Sequence, residues 1–189
     1  MKRIRTFVCI EIDGELRKKM SQVSAKLSSA GADVKWVAED NMHLTLKFLG
    51  NVDEVEIPKV AGEAKRIAGQ FQPFDFSIAG LGAFPEQGAP RVIWVGLEEP
   101  TGRLEKMYYA LNDALAPFAE KEERRTFSPH ITLGRVNSSR RREELRQLIE
   151  SNLDVQIGMQ SVEEITVMMS ELTSRGPIYT PLAKSPLGT

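Results

Sequence analysis

The chain carries only two histidines, His43 and His130, and each is followed two residues later by a threonine, Thr45 and Thr132. Two histidines would both gain this companion by chance about once in 400 chains of the same threonine content. An unperturbed imidazole titrates near neutral pH, so one histidine can take a proton while another gives one. Held in opposite protonation states on either side of a phosphorus atom, the pair suits phosphodiester cleavage. One accepts the proton of the attacking oxygen and the other protonates the leaving oxygen. Each threonine hydroxyl can donate to a non-bridging phosphate oxygen and stabilise the charge that grows in the transition state.

A metal site is the rival use of two histidines. Zinc sites draw three or four ligands from His, Cys and carboxylates. Here there is no third histidine, His-x-Thr is not a ligand spacing, and the sole cysteine, Cys9, sits in an apolar run that reads as core. We therefore expect neither a metal nor another cofactor.

Two cations lie close to the motifs. Lys47 follows His43 by four and shares its face by strand periodicity. Arg135 follows His130 by five, which strict alternation turns away, but Gly134 permits a bulge that brings it back. Both are candidate phosphate ligands. Phe48, Phe84, Trp94 and Tyr179 are candidates for stacking on a base, with core packing as the alternative for each. The run Arg140-Arg141-Arg142 reads as a solvated helix start, partly cancelled by Glu143-Glu144.

The elements that must position these residues can be read from periodicity. Residues 3–12 are rich in β-branched and aromatic types and predict a strand. Asp13 can cap a helix whose buried face is Leu16, Met20, Val23 and Leu27, stopped near Gly31. Short strands follow over 34–38 and 43–49, the second ended by Gly50-Asn51. Helices are predicted from Asp53 to Gly69, with Pro58 in the early turns, and over 101–117. Strands are predicted near 74–84, 91–98, 130–136 and 163–171, with a weaker extended piece near Ile178. A short basic helix starts at Arg140, and the tail from Ser185 is expected to fray. Several strand pairs lack room for a crossover helix, so they are antiparallel and the class is α+β. The two histidine-led strands lie 87 residues apart, about half of the 189-residue chain. This hints at two similar lobes facing each other across a groove.

Composition sets the remaining bounds. The formal net charge is −1, so any anion must be held by locally clustered cations. The basic start is followed by an apolar stretch that stops at Glu11, too short for an export signal. No stretch approaches the roughly 20 apolar residues of a membrane span. A cytoplasmic, monomeric protein without a membrane partner is expected.

The paired His-x-Thr-x motifs, HLTL at 43–46 and HITL at 130–133, resemble those of the two-histidine (2H) phosphoesterases. Within that superfamily the chain is most similar to the RNA 2′,3′-cyclic phosphodiesterases, also called 2′-5′ RNA ligases. The similarity runs through RTFVCIEI, HLTLKFLG, GAFPEQGAPRVIWVGL, FSPHITLGRV and SELTSRGPIYTPL, nearly the whole chain. The resemblance implies one bilobal domain over residues 1–189, of two intertwined lobes with one motif each. It implies two pseudo-symmetric antiparallel sheets lining a cleft, with helices outside. It implies a hydrolase that opens RNA 2′,3′-cyclic phosphate ends to 2′-phosphates without metal. His43 would then protonate the leaving 3′ oxygen and His130 would activate water. Thr45 and Thr132 would hold the phosphate with Arg135 assisting. The partners would be RNA ends or nucleotides that bear the cyclic phosphate. Ligation through a 2′-5′ bond, or nucleotide binding without turnover, remain the alternatives.

Overall fold

The computed structural model describes residues 2–121, 126–174 and 176–188. The chain runs β1 (Arg3–Glu11), α1 (Gly14–Ser28), β2 (Val34–Trp36), β3 (His43–Asp53) and α2 (Ile57–Ala68). It continues through β4 (Phe74–Phe84), β5 (Val92–Glu98), α3 (Arg103–Leu115), β6 (His130–Val136) and α4 (Arg142–Glu150). It ends in β7 (Gln156–Val162), β8 (Glu164–Thr173) and β9 (Gly176–Pro186). The strands form two sheets, ordered β3-β1-β8-β9 and β2-β6-β5-β4-β7, and every pairing is antiparallel. The class is α+β.

Helices α2 and α3 pack on the first sheet, and α1 and α4 on the second. Their apolar stripes explain this. Leu16, Met20 and Leu27 of α1, Val60, Ala64 and Ile67 of α2, and Leu104, Met107, Leu111 and Leu115 of α3 recur at helical spacing and are all buried. They join the inward residues of both sheets, among them Val8, Ile10, Leu44, Leu46, Ile93, Ile131 and Leu133, in one core. The first sheet also has a smaller apolar patch on its other face, made by Phe7, Cys9 and Met168 with Tyr179 against them. Strands β3 and β6 lie against each other where the sheets meet. No helix among the described residues is long and apolar enough to cross a membrane.

Several local expectations are corrected. Strand β3 does not stop at Gly50-Asn51 but continues to Asp53, with Gly50 at a φ of 75° that only glycine adopts without strain. Asp13 occupies the N-cap position of α1, but its side chain makes no cap hydrogen bond; its backbone N–H donates to Gln160 Oε1 at 2.9 Å. Strand β7 has no counterpart in the periodicity reading. Its pattern is scrambled by a bulge at Ile157, by the exposed Met159 and by Gln160, which is buried because its side chain bonds Asp13 and the Ser161 carbonyl. The piece near Ile178 is the full strand β9, an edge strand and so tolerant of its prolines. The tail is tied down as far as Gly188. Leu187 is buried, its N–H donates to Glu163, and that of Gly188 donates to Phe71. Thr189 lies outside the described residues.

Candidate active site

Each motif strand carries a bulge one residue after its threonine. In β3, Thr45 opposes Cys9 and Lys47 opposes Val8, so Leu46 is the extra residue. In β6, Thr132 opposes Trp94 and Gly134 opposes Ile93, so Leu133 is the extra residue. A bulge reverses the alternation beyond it. His43, Thr45 and then Phe48 share one face of the first sheet, with Phe48 opposite Phe7. His130, Thr132 and then Arg135 share one face of the second, with Arg135 opposite Val92. The two halves thus place an aromatic ring and a guanidinium at equivalent positions.

The same bulge overturns the expectation for Lys47. It opposes Val8 on the core side of the sheet and is only 4% exposed, so it is turned away from the face that carries His43. Arg135 takes the motif face because its strand is bulged at Leu133. Gly134 is required beside that bulge, since a Cβ there would come within 2.7 Å of Val34 Cγ1 and 2.9 Å of the Trp36 ring.

The two imidazoles are held in the same way. His43 Nδ1–H donates to the Asn41 carbonyl at 2.7 Å, and His130 Nδ1–H to the Ser128 carbonyl at 2.7 Å. A carbonyl only accepts, so each ring carries its proton on Nδ1 and uses Nε2 for proton transfer. The carbonyls are themselves anchored. Asn41 donates through Nδ2 to the Pro177 carbonyl at 2.9 Å, tying the turn before β3 to β9. Phe127, next to Ser128, stacks on Tyr108 of α3 with centroids 4.2 Å apart.

Aromatic rings surround both histidines. Tyr179 meets His43 edge-on at 5.3 Å, and Phe7 lies 4.9 Å away. Phe84 meets His130 edge-on at 5.0 Å, and Trp94 lies at 6.5 Å. Trp94 rests over Gly82, where any side chain would overlap its ring. Phe48 is the outermost of the four aromatics singled out from sequence, half exposed and 6.0 Å from Phe7.

Burial pushes the His43 imidazolium below its ordinary range, and the Asn41 carbonyl and the Glu11 carboxylate pull it partway back. Burial raises the Tyr179 hydroxyl, and the guanidinium groups of Arg135 and Arg5 act against that. Arg135 belongs to the second sheet and Arg5 to the first, so positive charge on both sheets acts on one tyrosine. Beside His43 a cavity of about 320 Å³ opens, lined in part by Glu11, Arg17, Asp40, Asn41, Tyr179 and Pro181. Among the described residues, no three His, Cys, Asp or Glu side chains are grouped to hold a metal ion.

Sequence reading missed Arg5, Phe7 and Glu11. The signal was present: β1 alternates, and Arg5, Phe7, Cys9 and Glu11 share the face opposite the core residues Val8 and Ile10. Each motif face can supply a proton-transfer group and a hydroxyl donor to an anion, with the positive charges of Arg5 and Arg135 nearby.

Two antiparallel sheets, each presenting an imidazole and a hydroxyl from a bulged strand, define a two-histidine phosphoesterase. The sequence model of the LigT-like phosphoesterases matches twice, over residues 10–94 and 95–179, once in each half. The chain belongs to this family and is an enzyme. It is 39% identical over 176 residues to the RNA 2′,3′-cyclic phosphodiesterase of Thermotoga maritima, covering 93% of this chain and 91% of that one. It is 35% identical over 178 residues to that of Methanothermobacter thermautotrophicus, covering 94% and 96%. Among solved structures, the TT0787 protein of Thermus thermophilus matches with a TM-score of 0.80 at 28% identity, covering 97% of each chain. The E. coli LigT complexed with phosphate matches with a TM-score of 0.75 at 26% identity, covering 100% of each.

Proposed function

We propose that this chain hydrolyses RNA 2′,3′-cyclic phosphate ends to 2′-phosphates without a metal, with the two lobes acting as one catalytic domain. The observation that carries this reading is the matched pair of Nδ1 anchors, which leave Nε2 of each ring available for proton transfer. Curated relatives named RNA 2′,3′-cyclic phosphodiesterase support the substrate class.

His130 Nε2 takes a proton from water as the water oxygen bonds to phosphorus. The bond from phosphorus to O3′ breaks, and His43 Nε2 gives its proton to O3′. The products are a 2′-phosphomonoester and a free 3′-hydroxyl. Thr45 and Thr132 donate to the non-bridging oxygens, and Arg135 offsets their charge. Before substrate binds, burial disfavours the charged form of His43. A bound phosphate supplies the negative charge that restores its proton. Phe84, Trp94, Tyr179 and Phe48 offer faces and edges for a base near the cleft.

Purified protein and a 2′,3′-cyclic nucleotide in EDTA test this directly. Turnover to the 2′-phosphate that persists in chelator, and disappears in His43→Ala and His130→Ala, supports the reading. Loss of turnover in EDTA, or undiminished turnover in either variant, contradicts it. Formation of a 2′-5′ bond between RNA ends as the dominant product would make ligation the main activity.

A further inference from the structure

The pseudo-symmetry of the site fails at one ladder position. Glu11 of β1 is the cross-strand partner of His43, and Gly96 of β5 is the cross-strand partner of His130. Directly opposed residues of an antiparallel pair point to the same face, close enough for their side chains to interact. Position 96 cannot carry a carboxylate. A Cβ there would sit 2.9 Å from the Ala79 carbonyl oxygen, which is backbone and cannot step aside.

The Glu11 carboxylate is fixed by two neighbours on the same face. Thr166 Oγ1 donates to its Oε2 at 2.9 Å, and Lys184 Nζ is 2.9 Å from the same oxygen. Lys184 is shared with Glu164 at 2.7 Å, so its charge is divided between two carboxylates. Burial alone would raise the Glu11 carboxyl; the bonds from Lys184 and Thr166 outweigh it and hold the group ionised at neutral pH.

We propose that Glu11, held beside His43 by Thr166 and Lys184, is a positioning residue whose carboxylate offsets part of the burial that disfavours the His43 imidazolium, and so biases His43, not His130, toward the acid role. This rests on the two-imidazole chemistry proposed above. The other groups around His43 do not supply that charge. Tyr179 and Cys9 are kept neutral by burial. Arg17 and Asp40, across the cavity, face each other at 3.5 Å, and the Asp40 side chain is 93% exposed. Arg5 and Arg135 act on the Tyr179 side and are cationic. Lys47, on the strand of His43 itself, turns to the core.

The test is an NMR titration of the two imidazoles in the full-length protein, with His130→Ala used to assign the signals. Glu11→Gln should move the His43 midpoint to lower pH, and Lys184→Met, which leaves the carboxylate uncompensated, should move it to higher pH. The His130 midpoint should stay where it is. Turnover of a 2′,3′-cyclic nucleotide by Glu11→Gln should fall about five-fold at pH 8 and less than about two-fold at pH 5, because His43 is short of protons only on the alkaline side. A purely structural role would shift both variants the same way, or lower activity equally at both pH values, and either result overturns the proposal. So does an unmoved His43 midpoint in both variants. Should Glu11→Gln fail to fold, the sign of the Lys184→Met shift still decides. The titration needs no substrate, so its failure leaves the proposed hydrolysis standing, whereas full turnover in His43→Ala removes the hydrolysis reading and leaves the titration result intact.

Discussion

His43 and His130 each donate from Nδ1 to the carbonyl oxygen two residues upstream, at the same distance of 2.7 Å. Two strands from different sheets therefore solve one problem identically: they fix the tautomer of an imidazole before substrate arrives. If Nε2 of each ring moves a proton, replacing either histidine by alanine should lower kcat about 10²- to 10⁴-fold while KM changes little. A cyclic substrate whose 3′ oxygen is replaced by sulfur separates the two roles. Its leaving group needs no proton, so His43→Ala should recover most of its turnover on it, and His130→Ala should not. Steady-state kinetics on the two substrates check this, and recovery in His130→Ala alone would exchange the roles.

The buried His43 also predisposes stability to pH. Its folded pKa lies below the unfolded value of about 6.5, so the unfolded chain binds the proton more readily. The contribution is fully present above pH 6.5 and is lost as pH falls toward the lower folded value. Carboxylates whose folded values are lowered, such as Glu11 and Glu99, act with the same sign further into acid. Thermal melts at pH 7.5 and pH 5 should show a larger loss of Tm in the parent than in His43→Gln. Equal losses would mean that His43 titrates as an exposed histidine does.

The positive charges of Arg5, on the first sheet, and Arg135, on the second, both act on the Tyr179 hydroxyl. Removing either guanidinium should raise KM for a cyclic-phosphate oligonucleotide about ten-fold, in keeping with a charge-assisted hydrogen bond, and leave kcat less affected. The salt dependence of kcat/KM should weaken in both variants. A kcat loss without a KM change in Arg5→Ala would remove it from the substrate-binding surface.

Much of this site was legible in the sequence, and what escaped has a physical reason. Two histidines with matched threonines identify strands and faces, because side chains two apart in a strand point the same way. The cations resisted that logic. Leu46 and Leu133 are apolar bulge residues in otherwise regular alternation, and nothing in their type reveals that the strand slips there. The slip sends Lys47 inward and Arg135 outward. Glu11 was passed over because it ends an apolar strand, where a charge reads as the edge of the core. Its meaning depends on a ladder partner 32 residues away in sequence, His43. Strand β7 was hidden by a buried glutamine, and the docked tail by backbone bonds that leave no trace in side-chain pattern.

Gly82 gives a route from packing to activity. A methyl group there would overlap the Trp94 ring, which lies 5.2 Å from Phe84 and 6.5 Å from His130. Gly82→Ala should destabilise the protein by about 1–3 kcal/mol through overpacking. It should also lower kcat/KM as the rings beside His130 shift. Denaturant unfolding followed by tryptophan fluorescence, together with kinetics, tests both. Unchanged stability and activity would mean that the ring moves away at no cost.

A crystal structure with a non-hydrolysable 2′,3′-cyclic nucleotide analogue tests most directly whether the two halves serve one reaction. Nε2 of His43 and Nε2 of His130 should lie within hydrogen-bond reach, about 2.6–3.2 Å, of oxygens bound to the same phosphorus and on opposite sides of it, with both threonine hydroxyls on its remaining oxygens. An analogue whose phosphate touches one imidazole while the other faces solvent would contradict the paired mechanism.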